Sequence, residues 1–454
     1  MKKKNHKASV VQTDLIAETI YDPILKETGF YIYQNGKAQH APSISTADGE
    51  VYPLDACSDI VAKNVVLFPS RAAEYGTNKE LLEEIQAFIH KRVDISPAFE
   101  RIATQYVFLS WIYDRLNELP YLRARGDYGS GKSRFLQVIG SICYRPIFTA
   151  GATTTSPIFR ILDQVHGTLI LDEADLNFSD AKNDLVKILN TGYQRGTAVL
   201  RSEGNGKGAF NVKSYDVYGP KIVATRHNFD DQALESRFLI EDMGRVKLRA
   251  DIPIRLDDGF WEEARELRNK LLTWRFRNYR NPLVFEDKPI EGLHPRLQQI
   301  IIPLLAVMPD PEIQETLLEH VRRYHKELIA DRALSWESEA IIALLRIHEK
   351  TEIDGVLVKE IAKEMNLDWE SGESVSAKKV GWILRARLHL KADRTSRGFC
   401  LSISRNQERI DLWKERLGIT DFDIKGEVND VNIVNVTTDV DKTEMDIRPE
   451  DIPF

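Results

Sequence analysis

Cysteine is scarce. The 454-residue chain has three, Cys57, Cys143 and Cys400, which are far apart and form no CxxC pair. That excludes a disulfide framework and a zinc knuckle, and a reducing, cytoplasmic setting is expected. Long apolar runs are missing as well, and no stretch approaches a membrane span. The basic opening "MKKKNHKASVVQTD" has no apolar segment behind it, so no signal peptide is expected. There is no internal repeat and no long low-complexity tract. What is present is 43% hydrophobic and 29% charged residues, the balance of globular domains, in a chain long enough for two or three of them.

The net charge of −7 is unevenly spread. From Lys425 to Phe454 eight acids and three bases give −5, which leaves −2 for everything before. Local patches, not the average, therefore decide which partners fit.

Patterning divides the chain into six stretches. Residues 1–65 are mixed, and "GFYIYQNGKAQHA" reads as two strands around an Asn-Gly turn. Residues 66–118 carry apolar positions at helical spacing, as in "NKELLEEIQAFIHKRV" and "AFERIATQYVFLSWIYDRL". Over 119–245 short apolar strands alternate with helices, which predicts an α/β layer structure. Residues 246–335 read as helical, 336–405 as a compact mixed unit, and 406–454 as a tail.

"RGDYGSGKSRF" contains Gly126-x-x-x-x-Gly131-Lys132-Ser133, the phosphate-loop pattern. Small residues let backbone N–H groups converge on phosphates, and the following helix points its positive end at them. Gly126, Gly129, Gly131, Lys132, Ser133 and Arg134 are the candidate nucleotide-binding residues. Lys132 would reach the β- and γ-phosphates of ATP, and Ser133 would hold Mg²⁺. A glycine-rich turn before an ordinary helix is the plainer alternative, and "GTLILDEAD" weighs against it. That apolar strand runs into Asp172, suited to supporting Mg²⁺, and Glu173, suited to polarising an attacking water. ATP binding and hydrolysis are expected.

After Glu173 come the helix "DAKNDLVKILNTGYQ", a hairpin "TAVLRSEGNGKGAFNVKSYDV", the strand "PKIVAT" and "ALESRFLIEDM". This order resembles the AAA+ ATPases, and "ESRFLI" resembles the arginine-finger segment of the MCM helicases. The pattern is similar to MCM-like replicative helicases of plasmids, phages and other mobile elements, over roughly 120–310. The resemblance implies a P-loop AAA+ core with a helical lid, active as an oligomer, a hexamer. It makes Thr225 a sensor of the γ-phosphate or water, Arg237 a finger reaching into a neighbouring subunit's site, and Arg296 a second sensor on the lid helix "GLHPRLQQIIIPLLAV". It also makes the hairpin a DNA-tracking element in a central channel holding single-stranded DNA. Lys207 would stand at its tip, flanked by Arg201 and Lys213.

The 336–405 unit reads independently as three amphipathic helices and a β-hairpin, the parts of a winged helix. From Ser376 to Arg405 eight Lys or Arg face one acid, Asp393. Lys378, Lys379, Arg385, Arg387, Arg394 and Arg397 are candidate phosphate contacts on DNA, duplex DNA included. A protein-docking winged helix facing an acidic neighbour is the alternative.

After about residue 420 the tail is polar, acidic and poor in core-forming spacing, so disorder is expected there. Its last residues, Asp451-Ile452-Pro453-Phe454, resemble the C-terminal tip of bacterial single-stranded DNA-binding proteins. That resemblance implies docking to host proteins that recognise such a tip, with Phe454 entering an apolar pocket; folding back onto the basic unit is the other possibility. Together these features predict an ATP-driven DNA helicase. The rivals are an AAA+ initiator or loader without processive unwinding, and a nucleotide-switched DNA-binding regulator.

Overall fold

The computed structural model describes residues 5–149, 153–172, 180–204, 210–229, 231–244, 248–285, 290, 291, 293, 295–308, 314–323, 336–367 and 375–425. The chain divides into two compact units, Met1–His325 and Lys326–Phe454. The stretches read from the sequence as separate pieces share the first unit up to His325, and an apolar cluster runs through it from Ile16 to Val321.

The first unit opens with seven strands: β1 (Asn5–His6), β2 (Ser9–Val11), β3 (Leu15–Asp22), β4 (Glu27–Gln34), β5 (Lys37–Ala41), β6 (Ile44–Thr46) and β7 (Gly49–Tyr52). β2-β3-β4-β5 form an antiparallel sheet, and β1-β7-β6 a smaller one. The β4–β5 turn is Asn35-Gly36, both at positive φ, as a tight hairpin turn requires. Three helices follow: α1 (Asp59–Ala62), α2 (Asn78–His90) and α3 (Pro97–Ile112). Thr77 and Glu80 close a reciprocal cap on α2. Ser96 caps α3 ahead of Pro97. α3 is buried on nearly every face, so it serves as a core element instead of an amphipathic surface helix.

Around α3 a five-stranded parallel sheet is built from β8 (Tyr121–Arg125), β9 (Ile147–Thr149), β10 (Leu169–Leu171), β13 (Lys221–Thr225) and β14 (Phe238–Asp242), in the order β14-β8-β13-β10-β9. Between them lie α4 (Lys132–Gly140), α5 (Thr155–Val165), α6 (Asp180–Thr191), the hairpin β11 (Ala198–Gly204) with β12 (Phe210–Asp216), and α7 (Gln232–Glu235). Leu185, Ile188 and Leu189 of α6 are buried together, as their spacing predicts. α8 (Asp258–Asn278) and α9 (Pro295–Val307) pack on α3, and α10 spans 314–323. Register puts Arg125, Thr225 and Asp242 level at the carboxyl edge of the sheet, because Arg125 pairs with both of the others. Ligands of open parallel sheets bind at this edge.

A buried polar knot ties the amino-terminal sheet to this body. Glu18 of β3 accepts from Arg275 of α8 at 2.8 Å and from the Tyr144 hydroxyl at 2.8 Å, and it pairs with Arg145. Arg275 also grips Asp114 with two hydrogen bonds at 2.9 and 2.7 Å.

The second unit contains α11 (Trp336–Thr351), β15 (Gly355–Leu357), α12 (Val358–Met365), α13 (Ala377–Trp382), β16 (Ala392–Thr395), β17 (Gly398–Ser402), α14 (Ile403–Leu417) and α15 (Asp421–Lys425). The three strands form one antiparallel sheet in the order β15-β17-β16. Its core extends beyond the 405 boundary read from the sequence, since Ile410, Leu417 and Ile419 are buried in it. Ile410 and Leu417 stand in a strongly charged stretch, which hid the helix from a patterning argument. Ile403 opens α14 directly after β17.

Candidate functional site

The segment from β8 to α4 forms a tight loop over the carboxyl edge of the sheet. Its glycines are demanded by geometry at two points. A Cβ on Gly126 would stand 2.6 Å from the Met243 carbonyl oxygen and 2.8 Å from Ser130 Oγ, and Gly131 caps α4 at a φ of 94°. Gly129 is at positive φ on the open side, where a Cβ would meet nothing within 4 Å. The Lys132 ammonium lies inside the loop, donating to the carbonyls of Gly126 at 2.6 Å and Asp127 at 2.7 Å. Ser133 is exposed in the first turn of α4.

Thr225 and Asp172 come to the same edge. The Gly126 N–H donates to the Thr225 carbonyl at 3.2 Å, which ties the loop to the neighbouring strand. Thr225 itself is 1% exposed, and its Oγ1 is a buried hydroxyl with no hydrogen-bond partner among the described residues. Asp172 directly follows β10, and its N–H donates to the Thr149 carbonyl at 3.2 Å. β13, which carries Thr225, lies between the strand leading to the loop and the strand leading to Asp172. A glycine-made cradle with a lysine inside it and an orphaned hydroxyl beside it fits a triphosphate. Glu173 and the side chain of Arg296 lie outside the described residues.

Arg134 is placed differently from the expectation. Its guanidinium donates to the carbonyls of Pro253 at 2.8 Å and Ile254 at 2.7 Å, pinning that segment instead of serving the loop. Arg237 lies at the opposite, amino-terminal end of β14. It is 6% exposed, with its guanidinium 4.1 Å from the centre of the Tyr193 ring, so it is enclosed by its own subunit.

Pattern reading missed the group behind the loop. Arg125 holds Asp242 through two contacts at 2.5 and 2.8 Å, and buried Arg123 holds Glu235. Asn228 Oδ1 accepts from both arginines. Arg123 is a charged residue in a short strand, yet it is 0% exposed. Alternation cannot distinguish a paired buried arginine from a surface one.

In the β11–β12 hairpin, Arg201 and Lys213 are direct cross-strand partners. Arg201 is engaged within the subunit, with Asp184 at 2.8 Å and the Phe159 ring at 5.1 Å. The Arg201 guanidinium keeps the Asp184 carboxyl below the usual carboxylate range. Lys213 is exposed, its ammonium 4.8 Å above the Tyr215 ring. Lys207 lies outside the described residues, as do Asp451, Ile452, Pro453 and Phe454.

In the second unit Lys378, Lys379, Arg385, Arg387, Arg394 and Arg397 are all exposed. α13 is capped by Ser376 and passes into a π-turn over Ile383–Arg387, where the Leu388 N–H reaches the Ile383 carbonyl. Within this wider turn Arg385, Ala386 and Arg387 are exposed in succession. One end of the patch is partly occupied, with Lys379 3.9 Å above the Trp336 ring and Arg387 3.9 Å from Glu337.

Comparison with known proteins adds only loose likenesses. No protein-family model and no curated protein matches the chain. Among solved structures, the apo C-terminal region of NrS-1 overlaps it with a TM-score of 0.36 and 9% identity, over 85% of this chain and 96% of that one. The active helicase Cch of SCCmec type IV gives a TM-score of 0.32 and 11% identity, over 90% and 97%. The Thermotoga maritima RuvB Holliday junction branch migration motor gives 0.22 and 15%, over 71% and 98%. At such scores the residues of the site, not the likenesses, carry the functional reading.

Proposed function

We propose that the chain is an ATP-dependent DNA motor, an oligomeric replicative helicase of a phage or mobile genetic element. The observation that supports it most is the meeting, at one sheet edge, of the Gly126–Ser133 loop, Asp172 and Thr225, whose buried hydroxyl has no partner among the described residues. The loop amides and Lys132 would hold the phosphates of ATP, and Ser133 and Asp172 would hold Mg²⁺. The metal would supply neutralisation of phosphate charge. Glu173 would polarise the attacking water, with Thr225 orienting it and Arg296 closing the lid. Arg237 would act across a subunit interface in a hexamer, once drawn away from Tyr193. The hairpin, through Lys207 and Lys213, would grip single-stranded DNA in the channel. The second unit, as a winged helix, would meet DNA through Lys378, Lys379, Arg385, Arg387, Arg394 and Arg397. The Asp451–Phe454 tip would recruit host replication proteins. A reducing, cytoplasmic setting agrees with the cysteine usage, and no helix among the described residues is long and apolar enough to cross a membrane.

The enclosure of Arg237 favours one other reading, an initiator or loader that hydrolyses ATP slowly without processive unwinding. ATP turnover with and without single-stranded DNA separates the two, for the wild-type chain, Lys132→Ala and Arg237→Ala. DNA-stimulated turnover lost in both variants supports the motor. Turnover indifferent to DNA and to Arg237 overturns it.

A further inference from the structure

Two large aromatic side chains of the second unit are outside its core. Trp382 is 52% exposed and Phe399 42% exposed, whereas the neighbouring Val380, Ile383, Leu384 and Leu401 are buried. Phe399 shares a strand face with Leu401, but it sits near the hairpin tip where the core does not reach. Both rings carry arginine. The Arg385 guanidinium lies 4.9 Å from the Phe399 ring centre, and that of Arg387 lies 5.4 Å from Trp382. Arg385 links the two elements, because its Nε is anchored on the Gly381 carbonyl at 3.0 Å, next to Trp382. On the other strand Arg394 stands directly opposite Phe399 in the β16–β17 register.

Phosphate contacts alone require only cations. An exposed indole and phenyl, interleaved with arginines on the same surface, add flat apolar faces that a duplex, with its bases stacked inside, cannot use. Unpaired bases can. Stacking on aromatics combined with a cationic track is the chemistry of single-strand binding. We infer that Trp382 and Phe399 are stacking platforms for unpaired bases, with Arg385 and Arg394 holding the adjoining phosphates, so that this surface takes single-stranded DNA. The inference rests on the reading of the second unit as DNA-facing and specifies which form of DNA it takes.

The test uses the full chain, a labelled oligo-dT and a duplex of equal length, with Kd values measured over a salt series. Trp382→Ala and Phe399→Ala are each expected to weaken oligo-dT binding roughly tenfold. Duplex binding, the salt dependence and DNA-free ATP turnover should be unchanged, while Trp382→Tyr and Phe399→Tyr retain binding. Oligo-dT should also quench a component of the tryptophan emission that Trp382→Phe removes. Equal losses on both DNAs, or no loss and no quenching difference, overturn the stacking role, the latter result pointing to a protein partner. Arg385→Ala with Arg394→Ala examines the underlying reading. Should that pair leave oligo-dT and duplex binding and their salt slopes at wild-type values, the DNA-facing surface itself fails, and the stacking proposal with it.

Discussion

The guanidinium of Arg123, in the middle of the parallel sheet, donates to both carboxylate oxygens of Glu235 at 2.7 and 2.6 Å. Arg123 is 0% exposed, and it also lies 5.3 and 5.0 Å from the rings of Phe229 and Phe238. The pair connects the strand that leads into the Gly126–Ser133 loop to the helix just before Ser236 and Arg237. Removing one partner leaves the other charge buried and uncompensated, at a cost of about 3–5 kcal/mol. Glu235→Ala should lower stability by that order in urea unfolding, and Arg123→Met with Glu235→Leu should recover most of it. Additive losses in the double variant would refute the pairing as the source of the cost.

Thr225 has the opposite character, a buried hydroxyl without a partner among the described residues. Deleting an unsatisfied polar atom is neutral or mildly stabilising. Thr225→Val is therefore expected to leave the unfolding midpoint unchanged or slightly raised, while kcat for ATP falls about 100-fold, as when a single transition-state donor is removed. A variant that loses stability and keeps its turnover would place Thr225 in the core and not in the chemistry.

Glu18 joins the amino-terminal sheet to Arg145 and Arg275, both buried. Glu18→Ala should destabilise the first unit by about 3–5 kcal/mol, since both guanidiniums lose an anion. Limited proteolysis should then cut within residues 1–65 before the rest. Cleavage at the wild-type rate would show that the knot does not secure this sheet.

His320 is buried beside Phe99. Burial, aided by the nearby charge of Arg323, pushes its pKa from the ordinary 6.5 down to about 4. The folded chain therefore keeps this imidazole neutral where the unfolded chain protonates it. Its contribution is complete above pH 6.5 and is lost as pH falls toward 4. At pH 5 the loss is roughly 2 kcal/mol. Urea unfolding at pH 7 and pH 5 checks this, with His320→Phe expected to lose correspondingly less than wild type. Equal losses would assign the acid sensitivity to other groups.

Much of the candidate site can be read in the chain because its constraints are local. A loop whose amides must converge needs glycine at set positions, so Gly126, Gly131, Lys132 and Ser133 are recognisable in one short stretch. Asp172 follows from an apolar strand that ends in acids, and the exposed basic run of the second unit from the density of Lys and Arg, whereas Thr225 is indicated only by the family resemblance. These features depend on covalent spacing, and spacing is what a sequence records.

Tertiary structure decided the rest, because partners from 17 to 120 residues away along the chain set each side chain's environment. Arg134 and Arg201 look like their neighbouring cations in the chain, yet one holds the Pro253 and Ile254 carbonyls and the other Asp184. Arg237 is enclosed by Tyr193, and Arg123 is made tolerable in a core strand by Glu235. Phe399 has the strand alternation of a core residue but is left outside, because the core ends before the hairpin tip does. Whether a charge is a surface group, a buried pair or a ligand contact is settled by what desolvates it, and only the assembled fold supplies that.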